Sequence, residues 1–165
     1  MVDLCNQNFQ HKVNRQRIQN NIMKVFKFGG ASLKDADAIR NTCNIIQQFQ
    51  ADGLLVVVSA IGKTTDALEK IVAARHANED VKPLIESLKT AHLKIIADLF
   101  VSPDALAASI DQLFKELPQY LKLNEPYDLI YDQVVSTGEL LSSLIVSNYL
   151  VNQNSKAVLI DARDY

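Results

Sequence analysis

A lysine, two glycines and a serine occur where an apolar run gives way to a helical pattern. Lys27 is part of the run, Gly29 and Gly30 follow it, and Ser32 precedes residues 36–49, whose apolar side chains recur at helical spacing. Paired glycines let the backbone approach a ligand without an intervening Cβ. The first N–H groups of a helix are unpaired and carry partial positive charge. This pattern predicts a phosphate-binding turn that stabilises a phosphoryl group in transfer, although an ordinary tight turn with a surface lysine has the same spacing.

A second strand-to-helix turn follows the first. The continuous run 54–58 is typical of a parallel strand covered on both faces; it ends at Ser59, and a helical pattern begins near Thr65. Gly62-Lys63-Thr64 is not a P-loop, because that motif requires a glycine where this chain has Val57. Open parallel sheets place their ligands at the carboxyl ends of strands, where both turns fall. We therefore expect the hydroxyls of the second turn either to meet a ligand or to cap the following helix.

Two polar residues each have two interpretations. Ser32 fits a capping box with Asp35 at the start of the first helix, or its hydroxyl binds a phosphate. Glu139 follows Gly138, a glycine that predicts a break or close packing within a helical stretch over 127–151. The carboxylate of Glu139 can bind an ammonium group in a pocket, or it can stabilise a helix start through the helix dipole.

The remaining pattern predicts an α/β fold with a mainly parallel sheet. The first helix is expected from Asp35 to Gln50, and residues 81–117 are expected to form a helical hairpin. His92 in that hairpin is expected to be a core or boundary residue rather than a ligand, because no second ligand lies at helical spacing from it. The apolar run 156–160 predicts a third strand.

Size and composition are those of one ordinary globular domain. The 165 residues suffice for a real core, and 48% of them are apolar and 22% charged. The net charge of −2 argues against a nucleic-acid partner, and no run approaches the roughly 20 apolar residues of a membrane span. Cys5 and Cys43 make no disulfide framework, so we expect a reducing, cytoplasmic location, with Cys43 in the core. Residues 1–22 are rich in Asn and Gln and are expected to be a disordered extension that adds little to the fold.

Three segments together resemble the aspartate kinases of the amino-acid kinase superfamily. They are residues 27–32 (Lys-Phe-Gly-Gly-Ala-Ser), residues 58–66 and residues 135–142, and their order and separations also match. The family usually has threonine where this chain has Ala31. The resemblance extends over residues 23–165. It implies a three-layer αβα sandwich with a mainly parallel sheet, of which this chain would be the N-terminal part.

The resemblance also implies an activity, the transfer of the γ-phosphoryl group of ATP to the side-chain carboxylate of L-aspartate. The product would be 4-phospho-L-aspartate, an acyl phosphate on the way to lysine, threonine and methionine. By the same resemblance, the phosphoryl group is bound by Lys27, Gly29, Gly30 and Ser32, with Lys27 as the catalytic charge. The substrate is held by Ser59, Thr65 and Glu139, the last of which takes the α-ammonium group.

The family's catalytic domain is longer than this chain, and this difference leads to further expectations. The other half of such a domain carries most of the adenine, ribose and Mg²⁺ contacts. We therefore expect Mg²⁺ to be held by the nucleotide and by that half, with no metal ligand from this chain, and we expect the chain to be inactive alone. We also expect a homo-oligomer with no nucleic-acid or membrane partner.

Two alternatives remain open. One is another amino-acid kinase with the same fold, whose acceptor is N-acetylglutamate, glutamate or carbamate. The other is a non-catalytic module that only binds an amino acid or a partner. A sheet cut in mid-domain exposes a strand edge and apolar faces, so dimerisation, aggregation or rearrangement would favour the fragment, and a closed core would favour the module.

Overall fold

The fold is built on one pair of parallel strands. The computed structural model describes residues 23–49, 53–122 and 124–164. Strand β1 (Lys24–Phe28) pairs with strand β2 (Leu54–Val58) so that the first residues of the two strands lie opposite each other. Parallel neighbours require a crossover, which is supplied here by helix α1 (Ala36–Phe49).

Within these ranges, the chain after β2 is helical. The helices are α2 (Thr64–His76), α3 (Lys82–Leu99), α4 (Asp104–Tyr120), α5 (Tyr127–Val135) and α6 (Thr137–Asn152). The hairpin predicted over 81–117 is confirmed, because α3 and α4 pack against each other. The predicted interruption near Gly138 is also confirmed, since Ser136 separates α5 from α6.

The start of α1 differs from the prediction. Gly30–Leu33 form a short 3-10 helix, and Asp35 caps the helix that follows, because its Oδ1 accepts the backbone N–H of Ala38 at 2.8 Å. The capping box on Ser32 is therefore wrong. Ser32 lies one turn earlier, where its carbonyl accepts the hydroxyl of Thr42 at 2.8 Å and so ties the first turn to α1.

One face of the strand pair is covered in the described part of the chain. Phe28, Val56 and Val58 pack against the core that the helices form. On the opposite face, Val25 is 60% exposed and Val57 is 44% exposed. The prediction that residues 54–58 form a strand covered on both faces is wrong within the described part of the chain, because the described helices cover only one face of the strand pair.

Residues 156–160 do not form the predicted third strand. The sheet has the order β1-β2, and this segment pairs with neither strand. Its larger apolar side chains lie at the surface, with Val158 at 83% and Ile160 at 57% exposure. A β-branched run becomes a strand only beside a neighbour that satisfies its N–H and C=O groups, and neither described strand does so.

The core lies mainly between helices, and two sequence predictions fall in it. Cys43 has no exposed surface, as predicted, and burial raises the pKa of its thiol to about 12. His92 is 1% exposed, which confirms that it is a core residue. Cys5 and the predicted extension over residues 1–22 lie outside the described residues.

One described stretch, Tyr127–Asn152, is long and apolar enough by composition to cross a membrane. The expectation that no run would approach that length is therefore wrong. The stretch comprises α5 and α6, is interrupted at Ser136, and is 50% buried over its most apolar window. A pair of core helices passes the same compositional test, and α6 buries residues such as Leu141 and Ile145 completely.

Candidate active site

The first glycine turn is pressed against the second. A Cβ on Gly30 would lie 2.7 Å from the carbonyl oxygen of Ala60 and 2.9 Å from that of Gly62. The N–H of Gly62 donates to the carbonyl of Gly30 at 3.1 Å. Because the neighbouring atoms are backbone and cannot rotate away, only glycine fits at position 30. This contact brings the ends of both strands to one place.

Gly29 has a different surrounding. It is extended, with φ −80° and ψ 169°, and a Cβ there would meet no atom within 4 Å. Beside it, the carbonyl of Phe28 accepts the N–H of Ser59 at 2.9 Å, which continues the pairing of the strands into the turns. Lys27 precedes these residues and is exposed, on the uncovered face of β1 opposite Val57.

The third segment, residues 135–142, packs against the second turn at Gly138, in the first turn of α6. A Cβ on Gly138 would lie 2.9 Å from the Cβ of Ala60, 3.2 Å from Leu68 and 3.3 Å from the methyl group of Thr64. The close packing predicted for this glycine is therefore confirmed. Ala60 lies against Gly30 through its carbonyl oxygen and against Gly138 through its Cβ, so this residue after β2 joins the three segments that the sequence singled out.

The predicted site residues lie around this junction. Thr65 is half-buried in the first turn of α2, and Glu139 is half-buried in the first turn of α6. Ser59 is half-buried directly after β2, whereas Ser32 is exposed in the 3-10 helix. Within the described part of the chain, neither Lys27 nor Glu139 has an ion-pair partner.

Sequence reasoning missed one contact behind the second turn. The expectation that a hydroxyl of this turn caps α2 is wrong, because α2 has no side-chain cap. The hydroxyl of Thr64 instead lies 3.3 Å from Nε2 of His92, and Nδ1 of His92 lies 2.9 Å from the carbonyl of Leu88. Burial lowers the pKa of His92, so its ring is held neutral. No local sequence pattern predicts this hydrogen bond, because Thr64 and His92 lie on different helices.

A cleft of about 330 Å³ opens beside the second turn, between α2 and α3. Lys34, Lys63, Thr64 and His92 are among its lining residues. None of the predicted site residues lines it. The cleft is therefore formed by other residues than those that the sequence predicts for the site.

Glycine turns that join parallel strands to helices define an α/β protein, a class whose ligands generally lie at the carboxyl ends of the strands. The comparison with known sequences narrows this class. A profile of the amino acid kinase family matches residues 23–165, and the chain belongs to that family.

Individual relatives are aspartokinases. The chain is 29% identical over 148 residues to aspartokinase 1, chloroplastic, of Arabidopsis thaliana, an alignment that covers 87% of this chain and 26% of the relative. It is 30% identical over 125 residues to the aspartokinase of Chlamydia trachomatis, covering 76% of this chain and 27% of the relative. The chain thus spans little more than a quarter of the length of these relatives.

A solved structure shares the fold. Escherichia coli aspartokinase III in complex with aspartate and ADP superimposes with a TM-score of 0.68 at 24% sequence identity, over 81% of this chain and 30% of that one. The likeness confirms the α/β fold class, with this chain corresponding to part of the kinase fold.

Proposed function

We propose that this chain provides the substrate and phosphoryl side of an aspartate kinase site. The reaction is ATP-dependent phosphorylation of the side-chain carboxylate of L-aspartate to 4-phospho-L-aspartate, the first step towards lysine, threonine and methionine. The observation that carries the proposal is the junction of Gly30, Ala60 and Gly138, which packs two glycine turns against the start of α6. The relatives described above are aspartokinases, which supports the choice of acceptor.

The phosphoryl side consists of a charge and a turn. Lys27 neutralises negative charge on the phosphoryl group, and the backbone N–H groups of Gly29 and Gly30 donate to its oxygens with Ser32 alongside. The residues present fit an ATP phosphate, because the open surroundings of Gly29 leave room for a close approach of the ligand to the backbone. The acceptor carboxylate is already ionised, so no general base is required and positioning dominates catalysis.

The acceptor side consists of two hydroxyls and a carboxylate. Ser59 and Thr65 hold L-aspartate at the second turn, and Glu139 binds its α-ammonium group in a charge-assisted hydrogen bond. The half-buried Glu139 carboxylate has no ion-pair partner among the described residues, which leaves it to a ligand. Because Glu139 binds the ammonium group, the site selects an amino acid whose α-amino group is free.

Mg²⁺ supplies charge neutralisation when it is bound with the nucleotide. This metal prefers oxygen ligands and keeps to substrate phosphates with one or two carboxylates. We propose that it is held mainly by the nucleotide and by residues outside this chain. The chain spans only 26% of the length of the Arabidopsis relative. We therefore also propose that the isolated chain binds L-aspartate but does not catalyse its phosphorylation. We place it, as a homo-oligomer, in the cytoplasm.

Equilibrium binding distinguishes this proposal from its rivals. In calorimetric titrations of the 165-residue chain, L-aspartate should bind, whereas N-acetyl-L-glutamate should not, because it has no free ammonium group for Glu139. Preference for N-acetyl-L-glutamate or for L-glutamate would support another amino-acid kinase. Aspartate-dependent release of ADP by the isolated chain would contradict the proposed inactivity.

The phosphoryl side has its own test. Lys27→Met should weaken the binding of a non-hydrolysable ATP analogue, and Lys82→Met, which removes an exposed lysine at the start of α3, should leave it unchanged. Equal affinities for the two variants would remove Lys27 from the site.

A further inference from the structure

A hydrogen bond between two buried side chains lies directly behind the second turn. Other buried polar side chains in the described part of the chain donate to the backbone: Thr42 to Ser32, Thr137 to Gln133, and Ser142 to Gly138. Thr64 and His92, which are 3% and 1% exposed, instead bond to each other across the space between α2 and α3. Such a bond fixes the positions of two helices relative to each other.

The direction of this bond follows from the partners of the imidazole. Nδ1 of His92 faces the carbonyl of Leu88 at 2.9 Å, and a carbonyl can only accept, so Nδ1 carries the hydrogen. In the neutral ring Nε2 is then an acceptor, and the hydroxyl of Thr64 donates to it. The ring of Phe114 packs edge-on against the imidazole with centroids 5.6 Å apart.

Thr64 faces the predicted site with its other branch. Its methyl group lies 3.3 Å from the position of a Cβ on Gly138, and its backbone N–H donates to the carbonyl of Ile61 at 2.9 Å. Its neighbour in the chain is Thr65, and the neighbour of Gly138 is Glu139. Thr64 is therefore the chain neighbour of one residue proposed to hold the amino acid, and its side chain packs against the chain neighbour of the other.

We propose that His92 is a positioning residue, which holds Thr64 so that Thr65 and Glu139 stay at the spacing that an amino-acid ligand requires. The inference rests on the proposed function for the identity of that ligand. Nothing in it requires His92 to touch the substrate, since the residue is buried behind the turn. A ring held in one tautomer by Leu88 presents its acceptor in one direction only.

The test is a cycle of substitutions at the two positions. Thr64→Val keeps the shape of the side chain and removes the hydroxyl, while Thr64→Ser keeps the hydroxyl. His92→Leu removes the acceptor, and His92→Gln restores an acceptor at the end of a side chain of comparable reach. L-Aspartate affinity, ATP-analogue affinity and urea unfolding are measured for each variant of the full 165-residue chain.

Thr64→Val and His92→Leu should each weaken L-aspartate binding about fivefold, in line with the loss of one hydrogen bond. The double variant should be no weaker than either single variant, and Thr64→Ser and His92→Gln should recover most of the affinity. The ATP analogue should bind all variants equally, because the phosphoryl side lies on the other turn. A purely structural role would lower the unfolding midpoint and leave L-aspartate affinity unchanged, which would overturn the inference.

Amide hydrogen exchange on the ligand-free chain separates this inference from the proposed function. Thr64→Val should accelerate exchange at residues 64–65 and 137–139 and not in α4. If that pattern appears while wild type does not bind L-aspartate, the proposed function fails and the positioning of the turn stands. If wild type binds L-aspartate and the variants bind it equally well, the positioning role fails alone.

Discussion

At the scale of single residues, two adjacent glycines have unlike roles. Gly30 is enclosed by the backbone of the second turn, whereas Gly29 faces open space. The sequence marks both as equivalent members of one turn, and only the contacts distinguish them. Gly30 is therefore required for packing, and Gly29 is free to contact a ligand.

Gly30→Ala should destabilise the chain by about 1–3 kcal/mol, because its methyl group meets two carbonyl oxygens that cannot move independently. Gly29→Ala should change stability by no more than about 0.5 kcal/mol, since its backbone is extended and its surroundings are open. Urea unfolding of the two variants measures the difference. Equal losses of stability would mean that the turns are not in contact.

His92 gives the stability of the chain a defined pH dependence. Burial lowers its pKa in the folded state, whereas the unfolded chain takes up the same proton near pH 6.5. Below that pH the unfolded state binds more protons, so the free energy of unfolding should fall as pH decreases from about 6.5 towards the folded-state pKa. His92→Gln should flatten this part of the profile. An unchanged slope in His92→Gln would show that folding does not lower the pKa of His92.

At the scale of elements, the structure places the cap of α1 three residues later than the capping box predicted. Asp35→Ala should cost about 0.5–2 kcal/mol, because Asp35 accepts the N–H of Ala38. Ser32→Ala should change stability by less than about 0.5 kcal/mol, since the contact of Ser32 with Thr42 uses its backbone carbonyl. If the serine variant loses more stability than the aspartate variant in thermal unfolding, the cap is at Ser32 after all.

The elements that sequence reasoning predicted well are those with a strong local period. The apolar stripe of α1, the hairpin of α3 and α4 and the break at Ser136 all follow from spacing, glycine and proline. The prediction of a strand at residues 156–160 was wrong, because the composition of this run expresses only a local preference, whereas a strand also needs a partner strand. The bond of Thr64 to His92 had no signal, because it depends on how two distant helices pack.

The candidate site, like the fold, could be predicted from the sequence only in part. The three segments were found from residue types at turns, and their contact through Ala60 agrees with the family resemblance. The roles of Lys27, Ser59, Thr65 and Glu139 remain proposals, since they concern a ligand. The enclosure of Gly30 by backbone atoms could not be read from the chain, because it depends on the register of the two turns.

At the scale of the whole molecule, the bare face of the strand pair is the principal feature. Val25, Leu55 and Val57 are between 40% and 60% exposed on it, and no described residue covers them. Contiguous apolar surface of this kind promotes association. The feature agrees with a chain that spans about a quarter of the length of its relatives.

The chain should therefore self-associate with rising concentration in sedimentation velocity. The double substitution Val25→Thr and Val57→Thr keeps the β-branched shape and should lower the associated fraction, because hydroxyls replace methyl groups on the bare face. Val101→Thr, at a fully exposed valine elsewhere, should not change it. A wild-type chain that stays monomeric at every concentration would favour the independent binding module.

The most direct test of the proposed function is a nuclear magnetic resonance titration of the labelled 165-residue chain with L-aspartate. The variant is Glu139→Gln. The control is Glu79→Gln, which changes an exposed glutamate after α2. The account predicts saturable shifts of the amides of residues 59–65 and 138–139 in wild type and control, and their loss in Glu139→Gln. Absence of saturable shifts in wild type, or equal shifts in wild type and Glu139→Gln, would contradict it.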